Sequence, residues 1–384
     1  MFSHKAWRRG KLAATGLLLT TSLILTACGG SSDDGGSDTA APSGSSDTSA
    51  EVAKAEALVK EYSTPPTGIG VDTPLTSAPA KGKTFVWMQC EAPQCSIITT
   101  FMKEAIAAVG WNLKVLNFEA ANPATLVSGL KQALQEKPVA VGFVALPYAV
   151  WQGVIPDYEK AGVALIPQNV GEVPLSATVP ANIGGPDATA KGAEILAQWF
   201  IADSKGKGKA LLFSTPEIGT STVYRDAFVK TVEAGCAECE VKDLKLPYAD
   251  VVAGKASSSI ISSLQQDPAI KYVISHNQVS TAGTPEALKA AGLTDVKLAG
   301  GSAQKAEEAA VNSGQLAAVT PTSLNFTTWL VVDAALRFSL GMEQPKDVQI
   351  NKMLITKASN VTPSDSFDYP ADWEEQFKTL WKVS

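Results

Sequence analysis

Histidine is almost missing from this 384-residue chain, which has only His4 and His276. The commonest general base and metal ligand is therefore in short supply. A Gly-x-Ser-x-Gly nucleophile elbow and a Walker phosphate loop are absent too. Neither the histidines nor the five cysteines assemble, along the sequence, a nucleophile with its base and orienting group, so the chain reads as no enzyme. No motif for a metal or an organic cofactor is present. Positive charge is scarce as well, with 32 Lys and Arg against 38 Asp and Glu and a net charge of −6. Phosphate contacts need clustered Lys and Arg, which argues against nucleic acid as a partner. An anionic small ligand would need a local basic pocket. The apolar run Leu12 to Leu25 is shorter than the ~20 residues of a membrane span and is broken by Thr, Ser and Gly.

That run follows Lys5, Arg8, Arg9 and Lys11 with no acid before it, which is the layout of an export signal. It ends in Leu25-Thr26-Ala27-Cys28, which resembles the lipobox of bacterial lipoproteins: Leu three before the Cys, small residues between, and a thiol to take the lipid. The expectation is a signal peptide over 1–27 and a lipidated Cys28 holding the chain on the extracytoplasmic face of the cell membrane. An ordinary secreted chain with a stray Cys is the alternative. At ~0.8 kcal/mol per buried methylene, several acyl chains would make the anchorage nearly permanent. Removing 1–27 takes away four cations and no acid, so the mature chain is more acidic still. Gly29 to Ala50 is Gly, Ser, Asp and Thr with little to bury, and reads as a flexible tether. With a short helix expected over Glu51 to Tyr62, it fills the segment 28–80.

The other cysteines fall into two close pairs, Cys90 with Cys95 and Cys236 with Cys239. In an exported chain, local disulfides are the leading reading. Loops this short gain about 2 kcal/mol each, so the effect of a bridge is mainly on loop shape. A four-Cys zinc site is the alternative. Redox chemistry at Cys236-x-x-Cys239 is disfavoured, because the pair follows Ala234-Gly235 at the end of an expected helix, whereas a reactive thiolate favours a helix N-terminus.

From Lys81 onward, short β-rich runs alternate with amphipathic helical stretches. Strands are expected at Thr84 to Met88, Leu113 to Phe118, Val139 to Leu146 and Val163 to Ile166, with helices between them. After a helix from about Pro186 to Ala202 the same grammar returns. Its strands are expected at Ala210 to Ser214, Val241 to Leu246, Tyr272 to Ser275, Val296 to Ala299 and Leu316 to Thr320. This is α/β repetition with parallel sheets, in two units of ordinary domain size. Phe326 to Leu340 reads as an apolar helix and Val348 to Ile355 as a strand, placed as if the chain crosses back between units. Trp373, Phe377, Leu380 and Trp381 share one helical face, which reads as packing on the body.

Ligands of open α/β sheets bind beyond the carboxyl ends of the strands. The residues there are Gln89 and Glu91, Tyr148, Gln168 and Asn169, Glu217 and Thr220, Tyr248, His276 to Gln278, then Ser302 and Gln304. Amides, hydroxyls and aromatics dominate, a set that hydrogen-bonds and stacks on a neutral polar solute without proton transfer.

The lobe order, the phrase Gly110-Trp111-Asn112-Leu113, Ser275-His276-Asn277-Gln278 after a strand, and Ser313-Gly314-Gln315-Leu316-Ala317-Ala318 before another resemble the type I periplasmic binding proteins. The branch is that of the ribose-type sugar-binding subunits of ABC importers, and the likeness covers about 81–356. It implies two Rossmann-like lobes joined by three crossovers: 81–184 plus 323–346 for the first, and 185–322 plus 347–384, with a C-terminal extension, for the second. It further implies a monomeric capture subunit that closes on a small sugar-like ligand and delivers it to an ABC permease. A ligand sensor of the same fold, signalling to a membrane receptor, is the alternative. Where ribose-type binders carry an Asn-Pro-Phe-Phe loop, this chain has Ala92-Pro93-Gln94-Cys95. The expected Asp-Arg pair is Gln168-Asn169, the second-lobe Arg is Tyr224, Asn277 is kept, the Asp near Gly300 is Ser302, and the late Gln is Thr322. Losing charged partners for sugar hydroxyls argues against a simple pentose or hexose. The binding residues so implied are Gln89, Glu91, Gln94, Tyr148, Gln168, Asn169, Tyr224, Tyr248, Asn277, Ser302 and Thr322.

Overall fold

A computed structural model describes residues 47–91, 93–144, 146–321, 323–345, 350, 352–359, 361–364 and 369–383. The expected signal peptide, Cys28, most of the tether and Thr322 lie outside the described residues. No helix among the described residues is long and apolar enough to cross a membrane.

The chain runs α1 (Asp47–Tyr62), β1 (Thr84–Gln89), α2 (Pro93–Ala108), β2 (Asn112–Asn117), α3 (Ala124–Ala133), β3 (Ala140–Val144), α4 (Tyr148–Trp151), α5 (Ile155–Ala161) and β4 (Ala164–Gln168). It continues through α6 (Pro186–Asp203), β5 (Lys209–Ser214), α7 (Gly219–Gly235), β6 (Glu240–Lys245), α8 (Tyr248–Val252), α9 (Ala256–Gln266) and β7 (Tyr272–Ser275). Then come α10 (Thr284–Ala290), β8 (Lys297–Ala303), α11 (Lys305–Ser313), β9 (Ala318–Pro321), α12 (Leu324–Ser339), β10 (Ile355–Thr356) and α13 (Trp373–Trp381).

Two sheets result. The first has the order β2-β1-β3-β4 and is parallel throughout. The second has the order β10-β9-β8-β7-β5-β6 and is parallel apart from the short antiparallel β10. The near-continuous apolar runs of β3, β4 and β7 are buried at every residue, because helices cover both faces. The edge strands β2 and β6 carry Asn, Lys, Glu and Asp and show no fully buried residue. Both sheets reverse strand order once, between β1 and β3 and between β5 and β7. Such a switch point is where an open α/β sheet leaves a crevice beyond its strand ends.

The chain passes between lobes from Ile183 to Pro186 into α6, again between β9 and α12, and again between α12 and β10. The structure adds two more. Helix α1 packs on α6 of the second lobe, with Ala55 in that lobe's core, and the chain then enters the first lobe, whose core holds Ile69, Val71 and Leu75. At the other end, Met353 to Ile355 and Val361 belong to second-lobe clusters. Trp373, Phe377, Leu380 and Trp381 lie in the first-lobe core instead. The expectation that 347–384 stays with the second lobe is corrected accordingly. The reason is aromatic. Trp381 stacks on Trp329 at 5.0 Å, and Trp373 meets the same ring edge-on at 4.9 Å, so α13 is captured by the apolar face of α12.

Beneath these rings lies a buried ion pair. Arg337 Nε donates to Asp333 Oδ2 at 2.7 Å, Trp381 Nε1 to Asp333 Oδ1 at 2.9 Å, and an Arg337 terminal nitrogen to the Thr73 carbonyl at 2.7 Å. Burial pushes the Asp333 carboxyl up, opposed by the hydrogen bonds from Arg337 and Trp381. One pair thus ties α12 to α13 and to the strap around Thr73.

Both expected disulfides are present, Cys90 to Cys95 and Cys236 to Cys239. The first joins the end of β1 to the opening turn of α2 and so fixes the turn of α2 that carries Gln94.

Candidate functional site

Between the lobes lies a cavity of about 200 Å³. It is small beside the roughly 300–1,000 Å³ of drug-sized ligand pockets and so suits a solute of few heavy atoms. The second lobe supplies most of it, at the switch point of its sheet. The end of β5 contributes Phe213 and Thr215, the turn after β7 contributes His276, Asn277 and Ser280, and the end of β8 contributes Gly301 and Ser302. Helix α7 opens on the cavity with Ile218, Thr220, Ser221 and Tyr224. From the first lobe come Gln94 on α2, Asn169 after β4, and Ser323 and Thr327 of α12. Ile350 and Lys352, between α12 and β10, complete the wall.

Local chemistry holds these groups in place. The turn after β7 is braced by Ser275 Oγ donating to Gln278 Oε1 at 3.0 Å and by Gln278 Nε2 donating to Thr281 Oγ1 at 2.9 Å. Gly301 is required beside it, since a Cβ there would lie 2.7 Å from the His276 carbonyl oxygen. The Thr215 N–H donates to Ser221 Oγ at 2.9 Å and pins the entry to α7. Asn169 and Ser302 both take positive φ, 54° and 52°. Asn tolerates this conformation, whereas Ser is a less usual occupant, and such outliers cluster at binding sites. Gly171 of the first lobe and Gly219 at the head of α7 approach so closely that a Cβ on Gly171 would stand 3.5 Å from the Gly219 Cα. The lobes therefore touch at the cavity rim.

Three titratable groups line the cavity among the described residues. The Tyr224 ring lies edge-on to His276 at 5.4 Å, and its hydroxyl is buried without a hydrogen-bond partner. Burial pushes the Tyr224 hydroxyl far up. Burial, and secondarily the charge of Lys352, press the His276 imidazole down to about 4, so it is neutral at pH 7. Burial lowers the Lys352 ammonium to about 8. A neutral imidazole, a neutral phenol and hydroxyl groups offer hydrogen bonds, while no carboxylate stands among the described lining residues to serve as base or nucleophile.

Of the residues expected at the site, Gln94, Asn169, Tyr224, Asn277 and Ser302 meet at this cavity. Gln89 and Glu91 do not. They line a separate first-lobe recess with Asn117 and Glu119, where Glu91 Oε2 accepts the Ala120 N–H at 2.9 Å. Gln168 is fully buried under the wall, its Nε2 donating to Thr327 Oγ1 at 2.9 Å, so it positions a lining residue rather than lining the cavity itself. Tyr148 packs edge-on against Trp151 at 5.1 Å. Tyr248 begins α8, exposed, with its N–H donating to Glu217. Both lie away from the cavity because the helices they begin lead off from it. Thr322 lies outside the described residues. Sequence reasoning missed Thr189, Thr215, Ser280, Ser323, Thr327 and Lys352, whereas Gly219-Thr220-Ser221 is legible in the sequence as a helix opening able to hold an anion or hydroxyl. A lone Lys in the apolar run Val348 to Ile355 was the one signal available for Lys352.

Residues 85–336 match the model of the periplasmic binding protein domain. No curated protein sequence matches the chain. Among solved structures, an ABC sugar transporter subunit from Rhodobacter sphaeroides is 21% identical, with 72% of this chain and 99% of that one covered and a TM-score of 0.61. A 5-methylthioribose transporter solute binding protein from Thermotoga lettingae, in complex with 5-methylthioribose, is 14% identical over 80% of this chain and 99% of its own, with a TM-score of 0.65. The XylFII-LytSN complex matches at 13% identity, 73% and 100% coverage and a TM-score of 0.60. At these identities the structures speak for the fold. The family match spans well over half of the chain, which therefore belongs to the periplasmic binding protein domain family.

Proposed function

We propose that this chain is an extracytoplasmic solute-binding lipoprotein that captures a small, polyhydroxylated, sugar-like ligand between its lobes and presents it to an ABC importer. The observation that carries this reading is the cavity itself. Polar groups from both lobes converge on one small space at the switch point of the second sheet, with no carboxylate among its described lining residues. Contacts to both lobes favour the closed form, which gives a permease something to recognise. Leu25-Thr26-Ala27-Cys28 supports anchorage through lipid on Cys28, and the role requires only a monomer. The fold supports binding without turnover.

A sensor role is the second reading, and the likeness to the XylFII-LytSN complex favours it. Its ligand site would be the same, and only the membrane partner would differ.

Asn277→Ala tests the site. A neutral hydrogen bond contributes about 0.5–1.5 kcal/mol net, and stranding a buried partner costs ~1–3 kcal/mol, so affinity should drop roughly tenfold to a hundredfold in calorimetric titrations. The melting temperature of the empty protein should hardly move. Unchanged affinity together with a lowered melting temperature would make Asn277 a turn residue and place the ligand elsewhere.

A further inference from the structure

The sequence suggested a neutral solute, and the cavity points to a charged one. We propose that the ligand carries a carboxylate, seated against Lys352, the Tyr224 hydroxyl and the first turn of α7. This inference rests on the ligand-capture reading and names the chemistry of its substrate: a small hydroxy acid or sugar acid.

Lys352 is the only cation among the described lining residues, and no acid accompanies it there. It makes no hydrogen bond or ion pair with any described residue. Its ammonium is only partly exposed, and with no acid beside it among the described lining residues its charge faces the cavity uncompensated by them. The nearest arginine in sequence to the cavity wall is no substitute, since Arg225 Nε is bonded to Asp243 at 2.7 Å.

The second observation is Tyr224. Tyr224 is 2% exposed and lines the same cavity, and its buried hydroxyl has no partner among the described residues. A buried phenol that stays protonated has a hydrogen to give, and a carboxylate oxygen is an acceptor only.

The third is the opening of α7, a 17-residue helix with no acid in its first turn and no side-chain cap. Its Ser221 and Thr222 N–H groups reach back to the Ile218 carbonyl, while the Thr220 N–H has no such partner. Unpaired N–H groups and the positive end of the helix dipole favour an anion there. Three kinds of donor thus surround one space, and a single positive charge matches one carboxylate. A phosphate monoester brings about −1.5 to −2 and would leave charge unmatched. A volume of about 200 Å³ leaves room for a short hydroxylated chain beside the carboxylate.

The pH dependence has a defined sign. Lys352 loses its proton through about pH 8, and carboxylate affinity should weaken above that point. The other titratable groups at the cavity wall, His276 and Tyr224, both remain neutral from pH 6 to 9, so they do not contribute to the change.

The test uses the purified full chain labelled with ¹³C at the lysine ε-carbons. The probes are D-gluconate and glycolate, their neutral counterparts D-glucose and glycerol, and inorganic phosphate. The expected result is a saturable shift of the Lys352 signal by gluconate or glycolate, absent with glucose and glycerol and weaker at pH 9.5 than at pH 7. Parallel calorimetry should show the carboxylate weakened tenfold to a hundredfold in Lys352→Met, which keeps the apolar stem, and largely retained in Lys352→Arg. Saturation by phosphate at lower concentration than by either carboxylate would overturn the carboxylate assignment. Binding of a neutral probe, equal in wild type and Lys352→Met, would overturn the anion site and leave the capture reading standing. If no probe saturates the protein and no solute is released from it on denaturation, both readings fail.

Discussion

Tyr224→Phe isolates one atom. The hydroxyl it removes is buried and unpartnered in the empty protein, so it contributes no hydrogen bond there. A buried hydroxyl left unpaired costs about 1–3 kcal/mol, and one hydrated by a cavity water costs close to nothing. The ring keeps its packing against His276 in either case. The empty variant should therefore be as stable as wild type or more stable by up to about 1–3 kcal/mol. Ligand affinity should move the other way. Losing a donor to the ligand carboxylate costs about 1.5–3 kcal/mol, or roughly a tenfold to hundredfold rise in Kd. Urea denaturation of the empty protein beside a calorimetric titration reads both quantities on one sample. A destabilised variant that binds with unchanged affinity would show that the hydroxyl serves the fold, and the reasoning would fail.

Three further outcomes follow from the structure. Arg337→Ala strands Asp333 in the first-lobe core and frees the Thr73 carbonyl, so it should destabilise by about 3–5 kcal/mol in urea titrations; a loss below about 1 kcal/mol would mean the pair is not buried as described. His276 sits near 4 when folded and near its ordinary 6.5 when unfolded, so the unfolded chain takes up the proton first. Stability should be full above pH 6.5 and fall by up to ~3 kcal/mol as pH drops through 4, and His276→Gln should flatten that slope; identical slopes would refute the burial argument. Cys28→Ala should release the protein from the membrane fraction or leave it unprocessed, and identical partition of both forms into detergent would remove the lipid anchor.

The sheets were legible because their strands are short apolar runs bounded by turns, and helix coverage of both faces is what such runs require. The site was legible only in part, and Gln168 and Asn169 show why. Adjacent residues at the end of a strand point to opposite faces, so Asn169 reaches the cavity while Gln168 turns under α12 to Thr327. A strand-end rule gives position and not direction. Tyr224 lies one turn inside α7, away from any strand end, and only the family resemblance pointed to it. Lys352 was hidden by a strand expected over Val348 to Ile355, whereas β10 is Ile355–Thr356 and Lys352 lies before it. Helix α13 carried a clear apolar face, yet a face has no address. Its place in the first lobe depends on Trp329, which lies 44 to 52 positions earlier in the chain.

The central claim is that the interlobe cavity holds a small solute and leaves it chemically unchanged. Mass spectrometry of the solute released on denaturing the freshly purified protein tests it most directly, followed by rebinding of that solute to the emptied protein. The account predicts one hydroxylated small molecule per chain, recovered with the same mass after prolonged incubation and bound again with one-to-one stoichiometry. A solute returned as a different compound, or one that rebinds as well to Asn277→Ala and Tyr224→Phe as to wild type, would contradict it.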